Sequence, residues 1–133
     1  MAQWTEELAV GITEIDNQHK ELFAQINGLI EACNAGKGKE TVQQVIDFLG
    51  QYVVDHFGNE EKYMLKHNYP EYAKHKGQHT QFIASFQELK NKFEQDGPGI
   101  HIVVLTNRVV VDWLNQHISK SDKALGAFLK DKL

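Results

Sequence analysis

The sequence predicts an all-α protein: an up-down-up-down four-helix bundle with an N-terminal extension and a short C-terminal helix. Breaker residues cluster in three places, at residues 34–38, 68–70 and 96–99, and they divide the chain into four segments of helical length. Apolar residues within these segments recur three and four positions apart, which is the spacing of a helix that buries one face. Short loops between amphipathic helices favour antiparallel neighbours, and hence a bundle.

The first three segments show the helical spacing plainly. Asp16 is suited to cap the start of the first helix, and apolar residues then recur at helical period as far as Cys33. The second segment carries a stripe from Val42 to His67 along one helical face. The third begins near Pro70, which suits a first helical turn, and its aromatic residues alternate three and four apart. All three are therefore predicted to be helices that face a shared core.

The fourth segment is ambiguous in isolation. Residues 102–104 and 109–111 are β-branched and would suit strands. One helical face is nevertheless shared by Val103, Thr106, Val110, Trp113, Leu114 and His117, so a helix is predicted. A short C-terminal helix is expected around residues 123–130, after a break near residues 119–121.

Length, charge and cysteine content limit the class of protein. The chain has 133 residues and one cysteine, Cys33. We therefore expect a single domain over residues 1–133 whose core needs no disulfide and buries that cysteine as a small apolar residue. The formal net charge of −4 argues against nucleic acid or an anionic membrane as a partner. No apolar run reaches transmembrane length, and residues 1–10 carry Glu6 and Glu7 instead of a basic leader, so a soluble cytoplasmic protein is expected.

Histidines and carboxylates at helical spacing form a candidate metal-ligating set. Its members come from four separate segments: His19, His56, Glu60, His75, His79, His117 and Asp122. Two pairs, His56 with Glu60 and His75 with His79, are four residues apart, so each pair projects from one face of a helix. Imidazole and carboxylate ligands suit transition metals, and this number of them suits two ions better than one.

The predicted bundle brings these ligands to one end. His19 lies at the start of the first helix, His56 in the latter part of the second, His75 at the start of the third and His117 at the end of the fourth. These four places coincide in an antiparallel bundle. The remaining mismatch of one or two turns, on the order of 5 to 10 Å, is within the range of helix tilt and loop geometry.

Asp122 does not fit a regular helix. Five residues beyond His117 correspond to roughly 140° around the axis, away from the shared face. Ligation by Asp122 therefore requires the helix to unwind or turn just after His117. Ser119 and Ser121 suit such a break, because their hydroxyls compete for backbone hydrogen bonds.

A single histidine on an apolar helix face is more often a hydrogen-bonded core residue than a ligand. The whole set is different, because burying so many ionisable side chains together without a metal would be costly. His67 and His101 are expected to lie outside the set. His67 is roughly 16 Å along the axis from His56, and His101 is about 160° around the fourth helix from His117.

Four large side chains adjoin the histidines in the sequence: Phe57, Trp113, Leu114 and Ile118. Aromatic and aliphatic residues at helical spacing are usually ordinary core. These four are expected to serve both as core and as the lining of the space that the metals leave open.

The ligand pattern resembles that of one protein family, the hemerythrins. The resemblance spans residues 19–122 and fills all seven positions: His19, His56-Phe57 through Glu60, His75 through His79, and His117 through Asp122. Tyr69-Pro70 between the paired motifs and Trp4 near the N-terminus make the chain most similar to bacterial hemerythrins.

The resemblance implies a non-haem di-iron centre, cycling between ferrous and ferric iron, that binds dioxygen reversibly. It implies that one iron is held by three histidines, His75, His79 and His117. It implies that the second iron is held by two, His19 and His56. Glu60 and Asp122 would bridge the irons together with a solvent-derived oxo or hydroxo group. The second iron would keep an open position for dioxygen.

The residue chemistry also favours binding over oxidation. The candidate ligands contain no Glu-x-x-His motif, which characterises the carboxylate-rich ferritin-like centres. Neutral imidazoles donate less negative charge than carboxylates, so they should stabilise high-valent iron less well. We expect a monomeric, non-enzymatic oxygen carrier for storage, delivery or buffering, with an unidentified oxygen-consuming protein as recipient. The alternatives are a di-iron oxidase or peroxide- or nitric-oxide-reactive enzyme, and an oxygen or redox sensor that acts through a partner.

Overall fold

Three long helices and a fourth composite one make up the protein. The computed structural model describes residues 3–133. Helix α1 is Thr13–Asn34, α2 is Lys39–Lys66 and α3 is Tyr72–Asp96. Helix α4 extends over residues 100–129, and no strand occurs among the residues described. The predicted four-helix bundle is confirmed, including the helical state of its β-branched fourth segment.

Helix α4 is continuous but contains two turns of wider, π-helical winding. Its α-helical parts are Ile100–Leu105, Asp112–His117 and Lys123–Leu129, and they alternate with π-helical turns at Thr106–Val111 and Ile118–Asp122. The last part is the predicted short C-terminal helix. The predicted break before it is wrong, because the backbone stays helical through Ile118 (φ −64°) and Lys123 (φ −64°). A wider turn replaces the break and retains backbone hydrogen bonding.

The three connections end the helices where the breaker residues predicted. Gly36 and Gly97 have φ angles of 70° and 73°, and Asn68 has 55°. This left-handed conformation commonly ends a helix, and glycine and asparagine tolerate it better than other residues. The resulting tight connections leave α1 packed against α2 and α4, and α3 packed against the same two helices.

The N-terminal extension packs on the last part of α4. A short 3-10 turn, Glu6–Leu8, precedes the buried Val10. Gly126 allows a close approach, because a Cβ added there would clash with the Val10 carbonyl oxygen. The absence of a side chain at this glycine therefore lets the extension lie directly against α4.

Asp16 differs from its predicted role. Helix α1 begins at Thr13, so Asp16 lies within the first turn and is not the N-cap residue. Its carboxylate oxygens accept hydrogen bonds from the backbone N–H of Val10 (2.8 Å) and of Gly11 (3.3 Å). Asp16 therefore ties the N-terminal extension to α1.

The interior is apolar except at the end of the bundle that carries the histidines. Of the described residues, the buried polar ones are the seven candidate ligands and Thr106. The Thr106 hydroxyl donates to the Ile102 carbonyl at 2.7 Å, so it is satisfied locally. Cys33 is buried, as predicted. None of the described helices is long and apolar enough to cross a membrane.

Candidate metal centre

All seven residues of the predicted ligand set meet at one end of the bundle. Each has a relative exposure of 5% or less: His19, His56, Glu60, His75, His79, His117 and Asp122. Helix α1 supplies one, α2 two, α3 two and α4 two. The antiparallel arrangement therefore produces the convergence that the sequence predicted.

Glu60 divides its two carboxylate oxygens between two groups of imidazoles. Its Oε2 lies 3.4 Å from His19 Nε2 and 3.2 Å from His56 Nε2. Its Oε1 lies 3.4 Å from His75 Nε2 and 3.0 Å from His79 Nε2. The carboxylate thus stands between a group from α1 and α2 and a group from α3.

Asp122 of α4 likewise divides its two carboxylate oxygens between two groups of imidazoles. Its Oδ2 lies 3.1 Å from His19 Nε2, whereas its Oδ1 lies 3.0 Å from His75 Nε2 and 3.1 Å from His117 Nε2. The potential ligand atoms therefore form two sets, and within each set all the atoms lie within 4.8 Å of one another. Both sets include Glu60 and Asp122. One set contains three histidines and the other contains two.

The π-helical turn explains how Asp122 reaches this position. The Lys123 N–H donates to the Ile118 carbonyl, five residues back, which closes a wider turn than the α-helical one. Residues five apart then lie on consecutive turns of the same face. Asp122 therefore shares the inward face of His117, and the change of winding that the sequence required just after His117 occurs as a wider helical turn.

The inner atoms of the site lack hydrogen bonds within the described protein. These buried atoms include Nε2 of His19, His56 and His75 and both carboxylate oxygens of Glu60 and Asp122. Buried polar atoms without partners are costly, and buried carboxylates more so. Bound cations would satisfy all of them at once, and imidazole nitrogen with carboxylate oxygen is a donor set suited to iron and similar metals. The residues present therefore fit a two-metal centre.

Proton binding compensates the carboxylates when no metal is bound. Burial acts to raise the pKa of Glu60 and Asp122, but the surrounding imidazoles outweigh it and hold both values below their usual range. Burial likewise lowers the pKa of His19 and His75, yet contacts with Asp122 and Glu60 raise both to about 9. Metal ions must therefore displace protons from these two imidazoles.

Three outer partners orient the ligand imidazoles, and helical spacing of the ligands alone did not predict them. His56 Nδ1 lies 2.7 Å from Gln18 Oε1, and His117 Nδ1 lies 2.9 Å from Gln78 Oε1. His79 Nδ1 lies 3.0 Å from Glu61 Oε2. Because these oxygens are acceptors, each Nδ1 carries the proton and each Nε2 presents its lone pair to the centre.

A sequence signal for these partners does exist. Gln18, Glu61 and Gln78 each directly adjoin a candidate ligand in the chain. A residue next to an inward-facing ligand lies about 100° around the helix, at the edge of the buried face. A polar acceptor at such a position can reach the outer nitrogen of a histidine on a neighbouring helix.

Of the four residues predicted to line the open space, which we name the oxygen pocket, Phe57 and Trp113 have rings that contact the imidazoles. Phe57, Leu114 and Ile118 are buried, and Trp113 is half-buried. The Trp113 ring stacks on the His117 imidazole, with 4.4 Å between centroids and 15° between planes. Their burial beside the centre is consistent with the predicted lining, and their role toward dioxygen stays a prediction.

The two excluded histidines lie apart from the centre. His67 follows the last residue of α2, and His101 lies in the first turn of α4. Neither belongs to the two groups of potential metal ligands.

Similarity to known proteins agrees with this geometry. Residues 10–129 match the profile of the family described as the hemerythrin HHE cation binding domain. The chain belongs to the hemerythrin family. A bacteriohemerythrin of Methylococcus capsulatus is 35% identical over 95% of both chains, and one of Clostridium acetobutylicum is 29% identical over 92% of this chain and 97% of that one. The crystal structure of a wild-type hemerythrin aligns with a TM-score of 0.84 and 33% identity over 96% of each chain.

Proposed function

We propose that this hemerythrin-family protein binds dioxygen reversibly at a non-haem di-iron centre. The observation that carries the proposal is that Glu60 and Asp122 each divide their oxygens between the same two sets of imidazoles. A carboxylate in that position could bridge two cations. The relatives named bacteriohemerythrin support the same function.

The ligand assignment follows from the division of the carboxylate oxygens. One iron would be held by three histidines, namely His75, His79 and His117, and the other by His19 and His56. Glu60, Asp122 and a solvent-derived oxo or hydroxo group would join the two irons. When bound, the ferrous pair supplies the electrons on which reversible dioxygen binding depends.

The two positions differ in the number of protein donors. The three-histidine position offers three nitrogens and two carboxylate oxygens, whereas the two-histidine position offers two nitrogens and two oxygens. With a shared bridge, six donors complete the first position and five serve the second. The two-histidine position, held by His19 and His56, would therefore keep a place for an external ligand.

The remaining residues support binding over chemical turnover. The outer partner of His56 is the neutral amide of Gln18, and His19 Nδ1 has no hydrogen-bond partner among the described residues, so neither histidine contacts an outer carboxylate through its Nδ1. Buried Phe57, Leu114 and Ile118 restrict water and protons around the centre. We therefore propose a binding protein and not an enzyme.

We further propose that the protein acts as a cytoplasmic monomer that passes dioxygen to an oxygen-consuming protein. The single cysteine, which has no partner for an internal disulfide, supports a reducing compartment. The formal net charge of −4 supports a carrier that does not bind nucleic acid or anionic membranes.

The deciding experiment is cycling under controlled gas. Protein from iron-replete medium is reduced anaerobically and then exposed to alternating air and argon while the absorption spectrum is recorded. A spectrum that returns over repeated cycles, with about two irons per chain, supports carriage. Irreversible formation of a ferric product indicates redox turnover instead, and one metal per chain contradicts the di-iron centre.

Matched alanine variants separate ligands from other histidines in the same assay. His79→Ala and Glu60→Ala should lower the iron content. His67→Ala and His101→Ala should leave it unchanged, because neither histidine belongs to the ligand groups.

A further inference from the structure

The second π-helical turn of α4, Ile118–Asp122, determines where Asp122 lies. Only a wide turn places this carboxylate on the inward face of His117, because an α-helical turn would rotate it by roughly 140°. π-Helical turns are rare, and the α-helical winding is the usual alternative for the same residues. A contact from outside α4 is therefore expected to favour the wide turn.

Gln78 of α3 makes such a contact. Its Oε1 accepts one hydrogen bond from His117 Nδ1 (2.9 Å), just before the turn, and a second from Ser121 Oγ (2.6 Å), just before Asp122. One oxygen atom thus holds both ends of the turn. The other hydroxyl, that of Ser119, donates to the Asn115 carbonyl at 2.6 Å and remains within α4.

We propose that Gln78 is a positioning residue that holds α4 in its π-helical winding and so places Asp122 between the two sets of histidines. A change to α-helical winding would move Ser121 and Asp122 together, so the Ser121 hydrogen bond reports the position of the carboxylate. The consequence for metal binding rests on the proposed function. The effect on the winding of α4 does not.

Gln18 provides a matched control within the same protein. Its Oε1 also accepts from a ligand imidazole, His56 Nδ1 (2.7 Å), and from a second side chain, Asn59 Nδ2 (3.2 Å). Both donors lie on the regular helix α2. Gln18 can therefore orient an imidazole, but it has no π-helical turn to hold.

Leucine is the informative replacement at both glutamines. Gln78 and Ser121 line two neighbouring crevices of about 270 and 340 Å³ that reach His117 and His75. Alanine would admit a water molecule that replaces one acceptor contact. Leucine occupies the space of the amide without accepting, whereas Gln78→Glu keeps an oxygen that accepts from both donors.

The first measurement is amide hydrogen exchange over residues 118–123, in the protein as purified and after chelation. Gln78→Leu should accelerate exchange in this segment about tenfold, the effect of losing one to two hydrogen bonds. Gln78→Glu should exchange like the original protein, and Gln18→Leu should leave the segment unchanged. Ser121→Ala removes one of the two donors to Gln78 from a half-buried site and should accelerate exchange about threefold. This variant tests the same contact if Gln78→Leu does not fold.

The second measurement is anaerobic titration with ferrous iron alone. Both leucine variants should bind iron more weakly, about 10- to 100-fold, because each removes an acceptor from a ligand imidazole. Only Gln78→Leu should combine this loss with faster exchange at residues 118–123. Unchanged exchange in Gln78→Leu, or equal acceleration in Gln18→Leu, would overturn the proposal. Failure of the original protein to bind two irons would instead refute the proposed function, and the exchange comparison would still decide the role of Gln78.

Discussion

The Phe57 ring lies parallel to the His79 imidazole, with 3.8 Å between centroids and 2° between planes. Glu61 Oε2 lies 3.0 Å from the Nδ1 edge of the same imidazole. The imidazole is thus fixed on one face by packing and on its outer edge by a hydrogen bond, while its Nε2 lies 3.0 Å from Glu60 Oε1. A ligand ordered in advance loses less conformational entropy when a metal binds.

Phe57→Leu should therefore weaken the stabilisation that bound metal gives to the fold. Leucine fills part of the space but cannot stack, and aromatic pairs contribute about 0.5 to 1.5 kcal/mol beyond their buried area. We expect the metal-dependent part of the unfolding free energy to fall by about 1 kcal/mol. Urea unfolding under argon, with and without saturating ferrous iron, measures it.

Phe82→Leu is the control for this prediction. Phe82 is fully buried, and its ring contacts are with Phe57, Phe86 and Trp113. Its replacement should destabilise the metal-free and metal-bound forms equally. Equal losses in both forms for Phe57→Leu as well would show that the stacked ring is only core.

The pH dependence of the metal-free protein should be set by His19 and His75. Burial lowers the pKa of both, but Asp122 and Glu60 outweigh it and raise the pKa from 6.5 to about 9. A raised pKa in the folded state contributes stability that is fully present below pH 6.5 and is lost as the pH rises to about 9. Bound metal requires unprotonated imidazoles, so its stabilising effect should grow over the same interval.

Thermal melts at several values between pH 6 and about 9.5, with and without chelation, test this dependence. The melting temperature of the chelated protein should fall across the interval, and the difference between loaded and chelated protein should widen. A chelated protein that melts at the same temperature throughout would show that these imidazoles do not hold protons in the folded state.

Local geometry explains how much of the fold and site the sequence could predict. Residues four apart on a helix share a face whatever the tertiary structure, so His56 with Glu60 and His75 with His79 could be paired from spacing alone. Short connections then fixed which ends of the helices meet. The convergence of the six candidate ligands other than Asp122 needed nothing further.

Asp122 marks the limit of that reasoning. Its spacing from His117 showed that the regular helix must change, but two solutions fit the same spacing: a break or a wider turn. The wider turn preserves backbone hydrogen bonds, and it depends on Gln78 of another helix. Contacts between helices at the edge of the buried face, including that of Gln18 with His56, leave no trace in apolar periodicity.

The packing of the N-terminal extension can be tested at Gly126. A Cβ there would meet the Val10 carbonyl, whereas a Cβ on Gly28 in α1 would meet nothing within 4 Å. Gly126→Ala should therefore destabilise the protein by about 1 to 3 kcal/mol through overpacking. Gly28→Ala should instead stabilise it by about 0.5 to 1 kcal/mol, since alanine is the better helix former. Urea unfolding compares the two, and a stabilised Gly126→Ala would show that the extension does not press on α4.

Leu114→Ala should speed autoxidation of the oxygen-loaded protein, if the proposed function is correct. Leu114 lies just under one turn before His117 in α4 and is 1% exposed. Truncation opens space beside the centre while every candidate ligand remains, and water or small anions gain access to it. The apolar surroundings of a metal site control such access, so the loaded form should decay faster in air.

Leu89→Ala is the matched control, because Leu89 is also 1% exposed but lies about 15 Å beyond His79 along α3. Both truncations should cost about 2 to 5 kcal/mol of unfolding free energy through lost packing. Only Leu114→Ala should accelerate the decay of the oxygen-loaded spectrum, and added azide should increase the difference. Iron content is measured in parallel, because loss of metal would mimic the effect. If Leu114→Ala keeps two irons and decays no faster than Leu89→Ala, even with azide, then Leu114 shields nothing and serves only as core.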